Sequence, residues 1–457
     1  MRVEIEPTTE GAFEWQIQPT AATIAHRLVR EFCARSTAAR QLRGRMLRET
    51  GTRFYDWVDF LAPPRDTLER KGLVEAGFAF SVQDGRQVAE HPGGAFPTIQ
   101  LDGRGWSLGV KVESVADYLH SNGIGDAKVE GAPYAALRMA RVAREADAEL
   151  WVVERHGQVG FTPHAVSMAE ASAVLRHAEA FRCRRRRFER DEDGFDHALK
   201  LIGAAVADLG TGRASDLFFA AEREYWQSRN RAGRLQKARQ DRLGLGWGNH
   251  DHHTYRSSRE HFAGLIRVLE ALGLACRERF YAGIEAGWGA QLLEHPASRI
   301  VVFADVDLPP DEVSGDFAHS ELPPRRTLGT IGLWCKLHGE ALLQAGMHHL
   351  EAQFDFDAAR AQLEREGVPT MEPFTDLTFL RQAFTLGEIW PLDPRRLAAA
   401  REAGFITDVQ AERFSENGAL GSHMEILERN DGYKGFNKTG ISQIINRTDP
   451  RRKTVAA

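Results

Sequence analysis

The stretch Gly248-Asn249-His250-Asp251-His252-His253-Thr254-Tyr255-Arg256-Ser257-Ser258-Arg259 decides the fold of the C-terminal half of this chain. It concentrates histidines, one carboxylate and two arginines in a short strand-like segment. A helix is predicted directly after it, over residues 260–273, because the apolar side chains there recur at helical spacing. The apolar run at residues 299–304 is then typical of a buried strand. This order indicates the beginning of a βαβββ module.

The alternation of side chains along the first strand limits which of its histidines can serve one site. Successive residues of a strand point to opposite faces of the sheet. His252 and Thr254 therefore share one face, and His253 and Tyr255 share the other. Only one of the two adjacent histidines can point into a given cleft, and the spacing alone does not decide which.

Two later segments complete a possible ligand set. Residues 346–354 form a second strand-like run that contains His348 and His349, and an amphipathic helix is predicted after it, over residues 357–366. The repeated order of a histidine strand and a helix suggests two pseudo-equivalent modules. Near the end, the strand predicted at residues 422–429 contains Glu425. Two histidines and one carboxylate on separate strands can form a facial triad for iron(II), although these residue types also suit manganese, cobalt or zinc.

Composition excludes several classes of protein. The chain has 457 residues, enough for two or three domains, and its 27% charged and 42% hydrophobic residues are typical of a globular protein. A net charge of −5 gives no electrostatic reason to expect nucleic acid as a partner. No apolar run approaches the roughly 18 residues of a membrane helix. The four cysteines are widely spaced, without C-x-x-C, so we expect a cytoplasmic protein with reduced thiols and no membrane partner.

Residues 1–245 form a mixed α/β region without a chemical signature. Helices are predicted over residues 21–60 and 134–146, and a strand over residues 149–154. The basic run at residues 182–187 invites a nucleic-acid interpretation, but acidic residues follow at once, and a solvated charged face is the favoured interpretation. This region could be a substrate lid, an oligomerisation region or a separate binding domain, and a homo-oligomer is compatible with the sequence.

The C-terminal half resembles the vicinal-oxygen-chelate superfamily, and within it the 2-oxoadipate dioxygenase/decarboxylase (2-hydroxyglutarate synthase) family. Four motifs in the family's order carry the resemblance, which covers about residues 245–447. They are the D-H-x-x-x-R element at Asp251 to Arg256, the segment Gln344-Ala345-Gly346-Met347-His348-His349, the segment His423-Met424-Glu425-Ile426-Leu427-Glu428-Arg429, and the tail Gly432-Tyr433-Lys434-Gly435-Phe436-Asn437.

The resemblance implies a metal centre and a reaction. His252, His348 and Glu425 would bind Fe(II), and Arg256 would be the catalytic residue that grips a substrate carboxylate. The spacing of Arg256, four residues after His252 on a strand, independently places both on one face. Two further residues of a predicted strand are candidates to line the cleft and bind substrate. These are Gln382 and Thr385.

The sequence thus predicts an α+β protein. Paired βαβββ modules at residues 246–450 would form a curved sheet around a metal cleft, preceded by the mixed α/β region. The expected function is non-haem iron(II)-dependent oxidation of a 2-oxo acid by dioxygen, with decarboxylation and hydroxylation. Two alternatives stay open. The first is a metal-dependent isomerase, lyase or ring-cleaving dioxygenase on the same scaffold, and the second is a non-catalytic small-molecule-binding protein.

Overall fold

The computed structural model describes residues 14–284, 286–313, 315–437 and 449–451. The helices are α1 (Pro19–Arg35), α2 (Thr37–Arg45), α3 (Arg70–Glu75), α4 (Val115–Ser121), α5 (Met168–Arg182), α6 (Asp191–Ser228), α7 (Arg231–Asp241), α8 (Phe262–Ala271), α9 (Thr330–His338), α10 (Phe356–Arg365), α11 (Pro394–Glu402) and α12 (Asp408–Asn417). The strands of the N-terminal half are β1 (Val58–Ala62), β2 (Ala79–Gln83), β3 (Arg86–Glu90), β4 (Thr98–Gln100), β5 (Trp106–Lys111), β6 (Val129–Glu130), β7 (Leu137–Glu145) and β8 (Ala148–Arg155). Those of the C-terminal half are β9 (His250–Arg256), β10 (Ala275–Tyr281), β11 (Trp288–Glu294), β12 (Val301–Asp307), β13 (His349–Gln353), β14 (Thr375–Leu377), β15 (Leu380–Phe384), β16 (Glu388–Trp390) and β17 (Ala419–Arg429).

The C-terminal sheet consists of two βαβββ modules placed side by side. Its strand order is β10-β11-β12-β9-β13-β17-β15-β14, with β16 paired to β17. In the first module β9 runs parallel to β12, and in the second β13 runs parallel to β17. The two modules meet where β9 pairs antiparallel with β13. The predicted α+β class with paired βαβββ modules is therefore confirmed, although residues 438–448 of the predicted C-terminal domain lie outside the described residues.

The N-terminal half contains a second sheet built on the same plan. Its order is β2-β3-β4-β1-β5-β8-β7-β6, with β1 parallel to β4, β5 parallel to β8, and β1 antiparallel to β5. Helix α3 follows β1 and helix α4 follows β5, as α8 follows β9 and α10 follows β13. Strands β1, β5 and β8 thus occupy the positions that β9, β13 and β17 occupy in the C-terminal sheet.

Two helices were predicted over residues that belong to this second sheet. The helix predicted over residues 134–146 is wrong, because residues 137–145 form β7, which pairs antiparallel with β8. The helix predicted over residues 21–60 ends before β1, which begins at Val58. Pairing with distant strands overrode the local pattern in both places, as it often does in sheets.

Helices pack against one face of each sheet, and the opposite face carries both apolar and polar residues. The long helix α6, interrupted by a non-helical Gly210, packs on α8 beneath the C-terminal sheet. Its Phe218 and Trp226 are buried in the same core as Leu350 and Ile426 of the sheet. The core of the C-terminal half therefore draws on residues before position 245.

The basic run at residues 182–187 is not a uniformly solvated face. Arg184 and Arg186 are buried, and both form ion pairs with Glu222 of α6, at 2.9 and 2.5 Å. The guanidinium of Arg186 also stacks over Tyr225 at 3.8 Å. The solvated-face interpretation is wrong for these two arginines, because a buried carboxylate on a neighbouring helix forms ion pairs with both guanidinium groups.

Within the described ranges, no helix combines the length and the apolar character needed to cross a membrane.

Candidate metal centre

The predicted alternation along β9 is what the structure contains. His253 faces the helices, where its ring lies 5.0 Å from that of Phe219. Tyr255 also faces the helices, and its hydroxyl donates a hydrogen bond to Glu222 at 3.2 Å. His252 points to the opposite face of the sheet, where its ring packs against Phe303 and Phe436. The face of the C-terminal sheet opposite α6 and α8 is therefore the one that carries the candidate site.

Three strands bring His252, His349 and Glu425 together on this face. Their potential ligand atoms all lie within 4.8 Å of one another, and all three residues are buried. His349 Nε2 lies 3.2 Å from Glu425 Oε2. Two ligand atoms bonded to one metal at about 2.1 Å and at right angles are separated by about 3 Å, so this spacing fits two ligands of one ion. The donor set could hold a divalent metal.

His348 is not a member of this group. Its Nδ1 lies 3.1 Å from the carbonyl oxygen of Gly421, and its ring packs edge-on against Trp334 at 5.4 Å. His348 forms a second buried group of potential ligands with His349 and His423. Two of the three predicted ligands, His252 and Glu425, thus meet in one group, and the third member of that group is His349, the neighbour of the predicted His348.

A buried network orients His252. Its Nδ1 lies 3.2 Å from Asp251 Oδ1 and also contacts Glu351. Arg429 donates two hydrogen bonds to Asp251, both at 3.1 Å, and Gln353 donates a third at 2.7 Å. Because carboxylates engage Nδ1, Nε2 remains the ring nitrogen available to a metal, an arrangement common among metal-binding histidines.

Gln382 holds the two glutamates of the site. Its amide donates hydrogen bonds to Glu425 Oε1 at 2.8 Å and to Glu351 Oε1 at 2.9 Å. Gln382 was predicted to line the cleft, and it contacts a candidate ligand directly. Thr385 does not join the group, because its hydroxyl accepts a hydrogen bond from the backbone N–H of Met424 at 3.0 Å.

The electrostatics at His252 and Glu425 favour the protonation states that metal binding needs. Burial lowers the pKa of His252, which keeps its imidazole neutral at pH 7. Burial would raise the pKa of Glu425, but the hydrogen bond and charge of His349 outweigh burial and lower it. Burial and the charge of Glu425 raise the pKa of Glu351 well above its usual value. A neutral histidine, such as His252, and an ionised carboxylate, such as Glu425, are forms that bind a metal.

Arg256 lies on the same face of β9 as His252 and is 3% exposed. Its Nε and Nη1 are buried without a hydrogen-bond partner, and its guanidinium lies over Trp334 at 5.6 Å. Burial lowers the pKa of Arg256 to about 10. Among the described residues, no carboxylate lies within 4.0 Å of it. A buried, unpaired guanidinium is costly, so this position suits an anionic group of a ligand.

Asp305 is the neighbour of Arg256 across the β9–β12 pair. Burial raises the pKa of Asp305 to about 7, although the charge of Arg256 opposes the shift. Its Oδ1 is buried without a hydrogen-bond partner. Asp305 therefore offers a second unsatisfied polar group beside the arginine.

The sequence interpretation missed two polar residues of the site, Glu351 and His423, and strand alternation could have found them. Glu351 lies two positions after His349 on β13, and His423 lies two positions before Glu425 on β17. Residues two apart on a strand share a face. Choosing His349 in place of His348 would have placed all of them in one cleft.

No protein-family model matches the sequence, and no curated protein sequence is significantly similar to it. In fold, the chain is similar to a putative hydrolase from Shewanella frigidimarina (13% identity, 48% of this chain and 96% of that chain, TM-score 0.33). It is also similar to a mutant of 4-hydroxymandelate synthase from Streptomyces coelicolor (13% identity, 86% of this chain and 96% of that chain, TM-score 0.28). A third similar structure is methylmalonyl-CoA epimerase from Mycobacterium tuberculosis (16% identity, 40% of this chain and 88% of that chain, TM-score 0.23).

Proposed function

We propose that the chain is a non-haem iron(II)-dependent dioxygenase that oxidatively decarboxylates and hydroxylates a 2-oxo acid. The observation that supports this proposal is the meeting of His252, His349 and Glu425 within 4.8 Å on one buried sheet face. We assign the second ligand to His349, and not to His348, because His349 alone of the pair lies beside both His252 and Glu425.

Two histidines and one carboxylate would leave open coordination positions on the metal, which is the ligand set of many iron(II) oxygenases. Bound there, iron would supply Lewis-acid and redox chemistry. The overall reaction would convert one 2-oxo acid and one dioxygen into carbon dioxide and a hydroxy acid shortened by one carbon, so that atoms and electrons balance.

The chain's own residues would bind and orient the substrate. Arg256 has two unpartnered nitrogens on the same face as the candidate ligands, and a guanidinium can grip a carboxylate with two parallel hydrogen bonds. Phe303 and Phe384 line the same face with apolar surface. They would exclude water from the reacting end of the substrate.

The test is the iron content of protein purified anaerobically, as wild type and as the variants His349→Ala, His348→Ala and Glu425→Gln. We expect close to one iron per chain in the wild type and in His348→Ala, and loss of iron in the other two variants. The His348→Ala variant is the matched control, because it also removes a buried imidazole, from the adjacent position. Loss of iron from His348→Ala with retention in His349→Ala would overturn the ligand assignment.

Oxygen uptake then tests the reaction. The iron-loaded wild type should consume dioxygen when mixed with a 2-oxo acid, and release of carbon dioxide should match the uptake. A protein that holds zinc or manganese and consumes no dioxygen would favour an isomerase or lyase. A protein that binds no metal would contradict the catalytic proposal and favour a binding protein.

A further inference from the structure

A cavity of about 720 Å³ is lined by residues from both halves of the molecule. The N-terminal sheet contributes Asp59, Lys111 and Arg155 to its wall, helix α6 contributes Arg223, and strand β9 contributes His250. His252, His349 and Glu425 do not line it. Its volume lies in the range of pockets that bind small organic molecules, about 300–1,000 Å³.

The cavity lies on the strands that correspond to those of the candidate metal centre. His252, His349 and Glu425 belong to β9, β13 and β17, whose counterparts in the N-terminal sheet are β1, β5 and β8. Lys111 ends β5 and Arg155 ends β8, while Asp59 lies on β1. Each sheet thus presents polar residues from the same three strand positions, with donor atoms for a metal in one half and mainly ionic side chains in the other.

Protein surrounds Lys111 on most sides. Its side chain nevertheless lines the cavity and is therefore accessible to solvent. Asp59 and Asp56 are the carboxylates that act on it most strongly. Asp59 accepts hydrogen bonds from Arg155 at 2.8 to 3.0 Å, and Asp56 accepts two from Arg53 at 2.8 Å. Among the described residues, none lies within ion-pair or hydrogen-bond distance of the Lys111 ammonium.

Arg223 adds a second cation without a carboxylate partner among the described residues. It is 6% exposed, and its Nε is buried without a hydrogen-bond partner. Its hydrogen bond is made to a histidine, with Nη1 lying 3.2 Å from His253 Nε2. The carboxylate of Asp216, which also lines the cavity, is held by His156 at 2.8 Å. The wall therefore carries two cations that form no ion pair with a carboxylate of the described residues.

We propose that this cavity is a second ligand site, which binds a small organic anion with a carboxylate, sulfonate or phosphate head and an apolar body. Lys111 and Arg223 would hold the head, since hydrogen bonds between charged partners are the strong ones. Phe96, Phe161 and Trp247 also line the cavity and would pack against the body. The site is distinct from the metal centre and does not depend on the proposed function.

Binding of anilinonaphthalene sulfonate, an aromatic anion, to the full-length protein tests the proposal. Fluorescence titration of the wild type should show one saturable site per chain. Lys111→Met should weaken the affinity about tenfold, because it removes one charged hydrogen bond from the head. Lys71→Met is the matched control, since that side chain is 85% exposed outside the cavity, and its affinity should equal that of the wild type.

Two further measurements separate recognition of the anion from general apolar binding. The neutral analogue phenylnaphthylamine should bind the wild type and Lys111→Met equally. Ser81→Trp should weaken binding of both probes, because Ser81 lines the cavity and the indole would occupy part of it. Iron content should be unchanged in Lys111→Met, which keeps this test separate from that of the metal centre. Equal affinity of Lys111→Met and Lys71→Met for the sulfonate, or full binding by Ser81→Trp, would overturn the proposal.

Discussion

Arg256 illustrates how one residue connects strand geometry to substrate choice. The β9 strand places it on the face of His252, and the sheet buries it without satisfying two of its nitrogens. Sequence spacing was sufficient to predict this placement. The choice between His348 and His349 was not predictable in the same way, because it depends on the register of β13 against β9 and β17, which pairs His349 with Thr254 and His423.

We predict that Arg256→Met raises the KM for a 2-oxo acid about 100-fold and leaves the iron content unchanged. The loss of a bidentate, buried carboxylate contact is expected to cost about 2–3 kcal/mol. Arg256→Lys should recover only part of the affinity, because an ammonium cannot form the fork. Steady-state oxygen uptake measures the KM, and Arg395→Met, on the exposed side of α11, is the control. An unchanged KM in Arg256→Met would remove Arg256 from the substrate site.

At the scale of elements, His261 joins the beginning of α8 to α6 and to the segment after α9. Its ring nitrogens lie 3.4 Å from Glu340 and 3.4 Å from Glu192, and its ring stacks on Phe195. Burial would lower the pKa of His261, but the hydrogen bond and charge of Glu340 outweigh burial and raise it to about 9. The protonated histidine therefore stabilises the packing of these elements.

We predict that this stabilisation disappears in alkaline solution. A folded-state pKa above the unfolded value means that the contribution is complete below about pH 6.5 and is lost as the pH rises through about 9. With allowance for partial exposure, it should amount to about 2 kcal/mol. Urea unfolding of wild type and His261→Gln should differ by this amount at pH 6 and converge near pH 10. A difference independent of pH would show that the ring contributes through packing alone.

At the scale of the whole molecule, the chain contains the same paired βαβββ plan twice, yet the sequence interpretation found it once. The C-terminal copy was recognisable because each of its modules begins with a strand that contains histidines, and these histidines indicate a possible metal site. The N-terminal copy has no such markers, and short strands such as β4 and β6 carry little pattern. Topology there depends on long-range pairing, which local periodicity does not report.

The domain boundary expected at residue 245 stays a prediction, and the core suggests how to test it. Helix α6 contributes Phe218, Phe219 and Trp226 to the core beneath the C-terminal sheet. We predict that a fragment of residues 165–457 unfolds cooperatively on heating, whereas a fragment of residues 246–457 does not, because it lacks these buried aromatic residues. Circular dichroism of both fragments measures this. A cooperative transition in the shorter fragment would support the boundary at 245.

The position of Asp251 links ligand binding in the cavity to metal binding at the candidate metal centre. This carboxylate touches His252 on one side and lines the cavity between the halves on the other. An anion in the cavity and a cation at the histidines would both act on its charge, and their binding free energies would be coupled through it. Such coupling is reciprocal: by whatever factor the anion alters metal affinity, the metal must alter anion affinity by the same factor.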